Sequence, residues 1–503
     1  MAKSYRPVRR EQEFLLPPDP RDWLSEGHLV WQLVDIVEQL DTSMFHGRRS
    51  RRSTAGSRAG QPGFDPDVLV VVLLYAYCCG VRSSRAIERA CRTDVAFIVA
   101  CGMDVPDHTV ISRFRAEHEA GFVEFFSRVL GLCAEAGMVR VGVVALDGTK
   151  IKANASRERN RSESTLRKMA AEIVADAVEI DEAEDRAGND DEGEPPASMA
   201  TRARRRETIR AALASIDAEH DDPRGRNDKV TAERVRKAKV KLEQITQQLQ
   251  DRWQAEQEVI AAGLPRTGRR VLPPEQHWKV ARARRQVAAA EASRAKKRAA
   301  ESPRRRNLTD VESRLMKTRH GFAQAYNAQT IVSEDHVIIC CQATNDPVDM
   351  VQFEPMLAAC DRELGLLAAA GHDRSIGLLL ADAGYLTIKN LTLPGPDRLI
   401  AVEKDRHQRQ SLPADPLSEA PDPAPATIEN PIHNMRQRLQ TPEARAAYRQ
   451  RSGIVEPVNG HLKQRRGLTE FMRRGLAACN AELHLAATAT NLMRFFTVQA
   501  ATA

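Results

Sequence analysis

The stretch VGVVALDGTKI, residues 141–151, decides the fold, because its apolar run ends in an aspartate followed by glycine. A second stretch, IGLLLADAGYL at residues 376–386, ends in a similar way. Short apolar runs bounded by turn residues predict buried strands. They place Asp147 and Asp382 at the carboxyl ends of two strands, where open α/β sheets bind their ligands. Either acid alone could begin a turn, but the two together indicate a shared site.

A third acid lies in SGIVEPVNGHLKQRRG, residues 452–467. We expect a helix that starts near Pro457, because proline favours the first helical turn. Glu456 and Lys463 then lie along one face of that helix. Three carboxylates on an α/β core are suitable ligands for two Mg²⁺ ions about 4 Å apart, as phosphoryl transfer requires, and Mn²⁺ would substitute. The alternative is an ordinary salt-bridged surface helix.

The bulk properties favour a polyanionic partner. The chain has 503 residues, a formal net charge of +7 and a pI near 9.0, and such a balance leans toward nucleic acid. The nine cysteines form no CxxC pair, the N-terminus lacks the apolar core of a signal peptide, and the longest apolar run is too short to span a bilayer. We therefore expect a cytoplasmic protein with no membrane contact. The sequence has no GxxxxGK[ST] loop, so no nucleotide cofactor is expected.

Changes in composition predict the domain organisation. Residues 1–140 have helical periodicity, which indicates either a helical DNA-binding domain or an ordinary helical domain. Residues 141–156 form the first strand of a mixed α/β catalytic core. Residues 157–306 are rich in segregated acidic and basic residues and are predicted to be a charged helical insertion. Residues 307–503 supply the remaining strands of the core and the C-terminal helices.

Several motifs, in this order, resemble those of the DDE transposases of bacterial insertion sequences, and within them the group numbered eleven eighty-two. The motifs are FLLPPDPRDWLSEGHLVW, LLYAYCCGVRSSRAIERACRTDVAF, PDHTVISRFR, ALDGTKIKANAS, SRLMKTRHGFAQAYNAQ, ADAGYL and VEPVNGHLKQRRG. The resemblance covers most of the chain. It implies a ribonuclease-H-like catalytic core in which Asp147, Asp382 and Glu456 form the catalytic, metal-binding triad.

Related transposases carry a Tyr-x2-Arg-x3-Glu-x6-Lys signature on the last helix. Tyr448 and Arg451 have the first spacing, and Glu456 and Lys463 have the last. Four residues rather than three separate Arg451 from Glu456, so this chain departs from the signature at that point. By similarity, Tyr448, Arg451 and Lys463 would hold the phosphates that flank the cut.

The resemblance also implies that the N-terminal helical domain binds double-stranded DNA at the terminal repeats of the element. The expected DNA contacts lie on or beside two helices and are Arg85, Arg89, His108, Arg113 and Arg115. The implied activity is excision of the element ends by hydrolysis, followed by joining of the 3′-hydroxyl ends to target DNA, by a dimer that pairs two ends. Two alternatives are a nuclease of the same fold that cuts without joining and a catalytically silent DNA-binding protein.

Overall fold

The structure is a computed structural model that describes residue 19 and residues 22–46, 63–172, 197–221, 226–262, 271–300, 304–318, 321–372, 374–403 and 430–502. The strands are β1 (Val143–Lys152), β2 (Asn160–Ser162), β3 (Arg305–Asn307), β4 (Arg314–Thr318), β5 (Gly321–Ser333), β6 (Ile338–Thr344), β7 (Leu378–Ala381) and β8 (Asp397–Ile400).

The helices with defined ends are α1 (Leu29–Gln39), α2 (Ser43–His46), α3 (Pro66–Cys78), α4 (Ser84–Thr93), α5 (Val95–Ala100), α6 (His108–Glu117), α7 (Glu119–Glu135), α8 (Ala197–Asp221), α9 (Arg226–Ala261), α10 (Trp278–Ala300), α11 (Phe353–Ala369), α12 (Ile388–Thr392), α13 (Pro431–Arg438), α14 (Pro442–Gly460) and α15 (Leu476–Thr502). Residues 163–172 are also helical.

A mixed sheet has β1 at its centre. β1 pairs antiparallel with β5, from Val144 opposite Ser333 to Lys152 opposite Ala325. On its other edge β1 pairs parallel with β7, which pairs parallel with β8. β4 and β6 follow one another along the far edge of β5, so the strand order is β4-β5-β1-β7-β8 with β6 beside β5. The core is therefore mixed α/β, as the alternation of strand and helix patterns predicts.

The two central parallel strands are apolar because both of their faces are covered. Three consecutive residues of β1, Val144 to Leu146, are fully buried, and so are three of β7, Leu379 to Ala381. Consecutive side chains of a strand point to opposite faces, so a continuous buried run requires a layer on each side. Helix α14 contacts β1, β5 and β7, while α11 and α15 contact β6.

The helices that precede the sheet share a core with it. Every residue of α3 from Leu69 to Cys78 is buried. α3 contacts α1 and α15, α7 also packs against α15, and α15 in turn contacts β6. The described residues up to Glu158 and from Glu312 onward form one compact unit. The described helices of the segment predicted as an N-terminal helical domain, residues 1–140, thus pack within the unit that holds the sheet.

Buried charges join the N-terminal helices to α15. Glu482 of α15 is 2% exposed, and its Oε1 lies 2.7 Å from Nη1 of the buried Arg82. Arg115 donates to the backbone carbonyl of Arg82 at 2.9 Å and to the Tyr77 hydroxyl at 2.8 Å. A buried charge without a partner is strongly destabilising, so each arginine here depends on the groups around it.

Residues 159–311 form the second compact unit, close to the predicted insertion of residues 157–306. Within this unit β2 pairs antiparallel with β3, and α9 packs against α10 as a helical hairpin. A small core contains Leu166, Ala212 and Ile216. Part of the segregated acidic stretch, residues 173–196, lies outside the described residues.

Helix α14 begins fifteen residues before the predicted start near Pro457, so that prediction is wrong. Pro457 lies inside α14, where proline cannot donate to the carbonyl of residue i−4, here Gly453. His336, in the turn between β5 and β6, compensates, because its Nε2 lies 2.9 Å from the Gly453 carbonyl oxygen. A π-helical turn, residues 461–465, continues the segment.

Across the described ranges, with their gaps, no helix is long and apolar enough to cross a membrane.

Candidate active site

The sheet brings Asp147 and Asp382 to the same edge. The last residue pair between β1 and β7 is Leu146 opposite Ala381, and each of the two acids is the next residue along its chain. The two carboxylates therefore lie close together at the point where the parallel pairing of β1 and β7 stops, and Asp382 contributes to the pKa of Asp147. The two acids are therefore neighbours, as the motifs predict. The prediction that each acid ends its strand is correct for Asp382 but wrong for Asp147, because β1 continues to Lys152 and Asp147 pairs with Thr330 of β5.

Asp147 lies beneath helix α14. Its Oδ2 accepts a hydrogen bond from Asn459 Nδ2 at 2.9 Å, and its Oδ1 lies 3.7 Å from Arg451 Nη1. Burial raises the pKa of Asp147 to about 6, and the nearby Asp382 adds to the rise, whereas the positive charge of Arg451 opposes it. The site thus favours binding of a cation near Asp147, because a cation would offset the cost of a buried carboxylate.

Asp382 begins the loop that follows β7. Its Oδ1 accepts a hydrogen bond from the Gly384 backbone N–H at 2.9 Å and caps a short 3₁₀ turn, Ala383–Tyr385. Tyr385 is fully buried and donates its hydroxyl to Gln329. Burial raises the pKa of Tyr385 well above its usual value, and the carboxylates of Asp349, Asp147 and Asp382 raise it further. The negative charges of three carboxylates therefore raise the pKa of one buried hydroxyl.

Glu456 lies on α14 with its side chain exposed. It precedes Asn459 by three residues and so neighbours it on the helix surface. The structure does not bring Glu456 into a tight cluster with Asp147 and Asp382. Among the described residues, the only three His, Cys, Asp or Glu side chains whose ligand atoms all lie within 4.8 Å of one another are His46, Asp65 and Asp67, at the start of α3.

The three signature residues that flank Glu456 also lie near the sheet. Arg451 is buried beside Asp147. Lys463, in the π-helical turn, donates to the Thr149 hydroxyl of β1. Tyr448 is half-buried and packs against the apolar core. Two cationic side chains are thus held beside the middle of β1, at Asp147 and Thr149, within reach of an anion bound there.

The N-terminal helices form a polar groove with a volume of about 570 Å³. It lies between the first turns of α4 and α6. Its lining consists of hydroxyl and basic side chains together with one alanine: Ser83, Ser84, Arg85, His108, Thr109, Ser112, Arg113 and Ala116. Arg85 and Arg113 are exposed, and Arg89 is exposed on α4. Hydroxyls, guanidinium groups and helix N-termini all bind phosphate oxygens.

Two of the predicted DNA contacts differ from the others in this region. Arg115 is 4% exposed and its guanidinium binds Tyr77 and Arg82, so the prediction that it contacts DNA is not compatible with the structure. It lies two residues beyond Arg113, which places it on the opposite side of α6. His108 is partly exposed, but its Nδ1 lies 2.8 Å from the carboxylate of Glu88.

Two family models match the chain. A transposase domain, DUF772, matches residues 18–117, and a transposase DDE domain matches residues 424–496. Two separate stretches of the chain are therefore similar to transposase domains. The first match contains the groove between α4 and α6, and the second contains Glu456 and Lys463. No curated protein and no solved structure matches the chain.

These matches support an insertion-sequence DDE transposase, with DNA as its partner. The DDE domain implies a ribonuclease-H-like fold, and a mixed sheet with a central β1 is in keeping with it. DDE transposase domains generally use divalent metal ions.

The donor groups around Asp147 and Asp382 suit a hard divalent cation. They are carboxylate and carboxamide oxygens, which Mg²⁺ and Mn²⁺ prefer. Two carboxamide oxygens, Asn327 Oδ1 and Asn459 Oδ1, are buried without a hydrogen-bond partner among the described residues. Buried polar atoms usually have hydrogen-bond partners. A cation that binds oxygen ligands would be a suitable partner for these two oxygens.

Sequence reasoning missed four polar residues of the candidate site. They are Asn327, Gln329, Asp349 and Asn459. A signal exists for two of them, because Asn327 and Gln329 occur at alternate positions of the otherwise largely apolar β5 and are fully buried. Polar side chains in a buried strand require partners, and this requirement marks a functional site.

Proposed function

We propose that this transposase binds the ends of its insertion sequence, cleaves them by metal-dependent hydrolysis and joins the 3′-hydroxyl ends to target DNA. We further propose that it belongs to the group numbered eleven eighty-two and acts as a dimer that pairs two ends. The observation that carries the proposal is the placement of Asp147 and Asp382 side by side beneath α14, in a chain with two transposase domains.

In this proposal Asp147, Asp382 and Glu456 hold two divalent ions, Mg²⁺ or Mn²⁺. The bound ions would lower the pKa of the attacking water or 3′-hydroxyl and stabilise the leaving oxygen. Asn459 orients Asp147 by the hydrogen bond to its Oδ2. Ions about 4 Å apart do not require all three carboxylates to meet at one point. The exposed Glu456, one turn of α14 from Asn459, supplies its ligand from the helix side.

The positive side chains of α14 and the turn after it position the scissile phosphate. The Lys463 side chain contacts β1 by donating a hydrogen bond to Thr149, which lies two residues beyond Asp147. Arg451 lies within 4 Å of Asp147 and neutralises part of the negative charge that would repel a phosphate. Tyr448 lies one helical turn before Arg451 and contributes a hydroxyl near the same face.

The groove between α4 and α6 is the proposed contact with the terminal repeats. Arg85, Arg113 and His108 line it, and Arg89 extends its basic surface along α4. These contacts would be made mainly to phosphates, because the groove presents helix N-termini and hydroxyl groups together with the arginines. Arg115 is not part of this proposal.

A cleavage assay tests the proposal. A supercoiled plasmid that carries the element's ends is incubated with protein and Mg²⁺, and breaks are mapped to the nucleotide. We expect breaks at the ends with the wild type, none with Asp147→Asn or Asp382→Asn, and wild-type breaks with Asp361→Asn, an exposed acid of α11. Specific end binding without cleavage would refute the catalytic role, and cleavage without strand transfer would refute the joining step.

A further inference from the structure

Asp349 is a fourth carboxylate at the edge of the sheet. It follows β6 and begins a short 3₁₀ turn, Asp349–Val351. One of its oxygens, Oδ1, is held by three donors. These are Asn327 Nδ2 at 2.7 Å, Gln329 Nε2 at 2.9 Å and Lys150 Nζ at 3.0 Å. All three donors lie on β1 or β5, so the sheet fixes the position of the carboxylate.

The other oxygen of Asp349 is directed toward the loop of Asp382. A Cβ atom on Gly384 would lie 3.5 Å from Asp349 Oδ2 and 2.9 Å from Asp382 Oδ1. A Cβ atom on Gly148 would lie 2.6 Å from Asp349 Oδ1. The glycines that follow Asp147 and Asp382 therefore leave the room that Asp349 occupies. No hydrogen bond to Oδ2 occurs among the described residues.

A buried oxygen without a partner lies in the same cluster. Asn327 is fully buried, and its Nδ2 donates to Asp349 Oδ1. Its Oδ1 has no hydrogen-bond partner among the described residues. A buried amide oxygen without a partner costs free energy unless a bound group satisfies it. Two oxygen atoms at Asp349, its own Oδ2 and the Oδ1 of the neighbouring Asn327, are thus without a hydrogen-bond partner among the described residues.

We propose that Asp349 is a fourth acid ligand of the transposase metal site, bound through Oδ2, with Asn327 Oδ1 as a neighbouring oxygen donor. The proposal rests on the metal-dependent function proposed above. It adds a ligand from the turn after β6 to those from β1, from the loop after β7 and from α14. A site with two ions needs many oxygen ligands, and this turn supplies them on the Asp382 side.

The alternative is that Asp349 only neutralises Lys150. The substitution Asp349→Asn separates the two roles, because asparagine keeps Oδ1 as an acceptor for the three donors. It replaces only Oδ2, with an amide nitrogen that cannot bind a cation. If the role is only to pair with Lys150, metal affinity should not change. Lys150→Met provides the complementary variant, since it removes the ion pair but leaves both oxygens of Asp349.

Binding of Mn²⁺ to the whole protein, measured by the electron paramagnetic resonance signal of free Mn²⁺, tests the proposal without an activity assay. We expect Asp349→Asn and Asp147→Asn each to weaken Mn²⁺ binding at least tenfold. Lys150→Met should keep binding at or above the wild-type affinity. Glu354→Gln, an exposed acid in the first turn of α11, serves as the matched control and should equal the wild type.

The outcomes separate this proposal from the function it rests on. Wild-type affinity in Asp349→Asn, together with weakened binding in Asp147→Asn, would overturn the role of Asp349 and leave the metal site intact. Failure of the wild type to bind Mn²⁺, or wild-type affinity in Asp147→Asn, would overturn the metal-dependent function itself. Circular dichroism of each variant establishes that a loss of binding is not a loss of fold.

Discussion

Replacing Asp147 by asparagine should stabilise the folded protein at neutral pH when no metal is present. Burial raises the pKa of this carboxyl from 3.8 to about 6, as the net result of desolvation, Asp382 and the opposing Arg451. The folded state therefore binds the proton more tightly than the unfolded state. Stability is highest when the group is protonated and falls as the pH rises from about 4 to about 6.

The size of the effect follows from the shift. A rise from 3.8 to about 6 corresponds to about 3 kcal/mol of unfolding free energy at pH values above 6. The Asp147 side chain keeps 23% of its surface exposed, and water there lowers the cost to about 1 to 3 kcal/mol. Asparagine has no charge to desolvate, so Asp147→Asn should be more stable by that amount at pH 7.5.

The difference can be measured by urea unfolding in the presence of EDTA. Hydrogen exchange of peptides from β1 and β7 reports the unfolding of the unit that contains the sheet. The gain from Asp147→Asn should be full at pH 7.5, smaller at pH 5.5 and absent near pH 4. Asp361→Asn, which replaces an exposed acid, should show no such dependence. An unchanged gain from pH 4 to 7.5, or a loss of stability at pH 7.5, would refute the reasoning.

Three further predictions concern other parts of the structure. Glu482→Gln leaves two buried arginines without their carboxylate and should lower the unfolding free energy by about 3 to 5 kcal/mol; a change below about 1 kcal/mol in urea unfolding would contradict this. Arg113→Ala should weaken DNA binding in fluorescence anisotropy and reduce the slope of log affinity against log salt by about 1. Arg128 is an exposed arginine of α7 outside the groove, so Arg128→Ala should not weaken DNA binding. Equal effects of the two substitutions would argue against the groove as the DNA contact. His336→Ala leaves the Gly453 carbonyl without its donor and should cost about 0.5 to 1 kcal/mol, because water reaches this exposed bond; the loss should be seen as faster hydrogen exchange in α14, and wild-type exchange would exclude this role.

The sequence predicted that Asp147 and Asp382 are neighbours because the signal was local, but it ended the first strand too early, since β1 continues through Asp147 and Gly148 in its pairing with β5. Each acid directly follows a run of apolar residues, and parallel pairing of two such runs leaves little choice about where the acids lie. Asp349 had no such signal. Two of its donors, Asn327 and Gln329, lie about 20 residues away in the chain, and the third, Lys150, lies 199 residues away. Only the register between β1 and β5 brings these donors to Asp349.

Two errors at the level of helices have physical reasons as well. Pro457 was taken as a first-turn residue, but a proline is tolerated within α14 because His336 binds the carbonyl that proline leaves free. Arg115 was grouped with Arg113 as a DNA contact, yet a separation of two residues turns a side chain to the far side of a helix. Burial of Arg115 depends on Tyr77, which no short motif connects with it.

Helix α15 has a consequence for the order in which the protein acquires its structure during synthesis. The buried surfaces of α3 and α7 face this helix, which the ribosome produces only after the sheet and the whole of residues 159–311. Until then the early helices expose apolar side chains, among them the continuous run from Leu69 to Cys78. Products that end before α15 should therefore aggregate or be degraded, rather than persist as DNA-binding fragments that compete with the full-length chain.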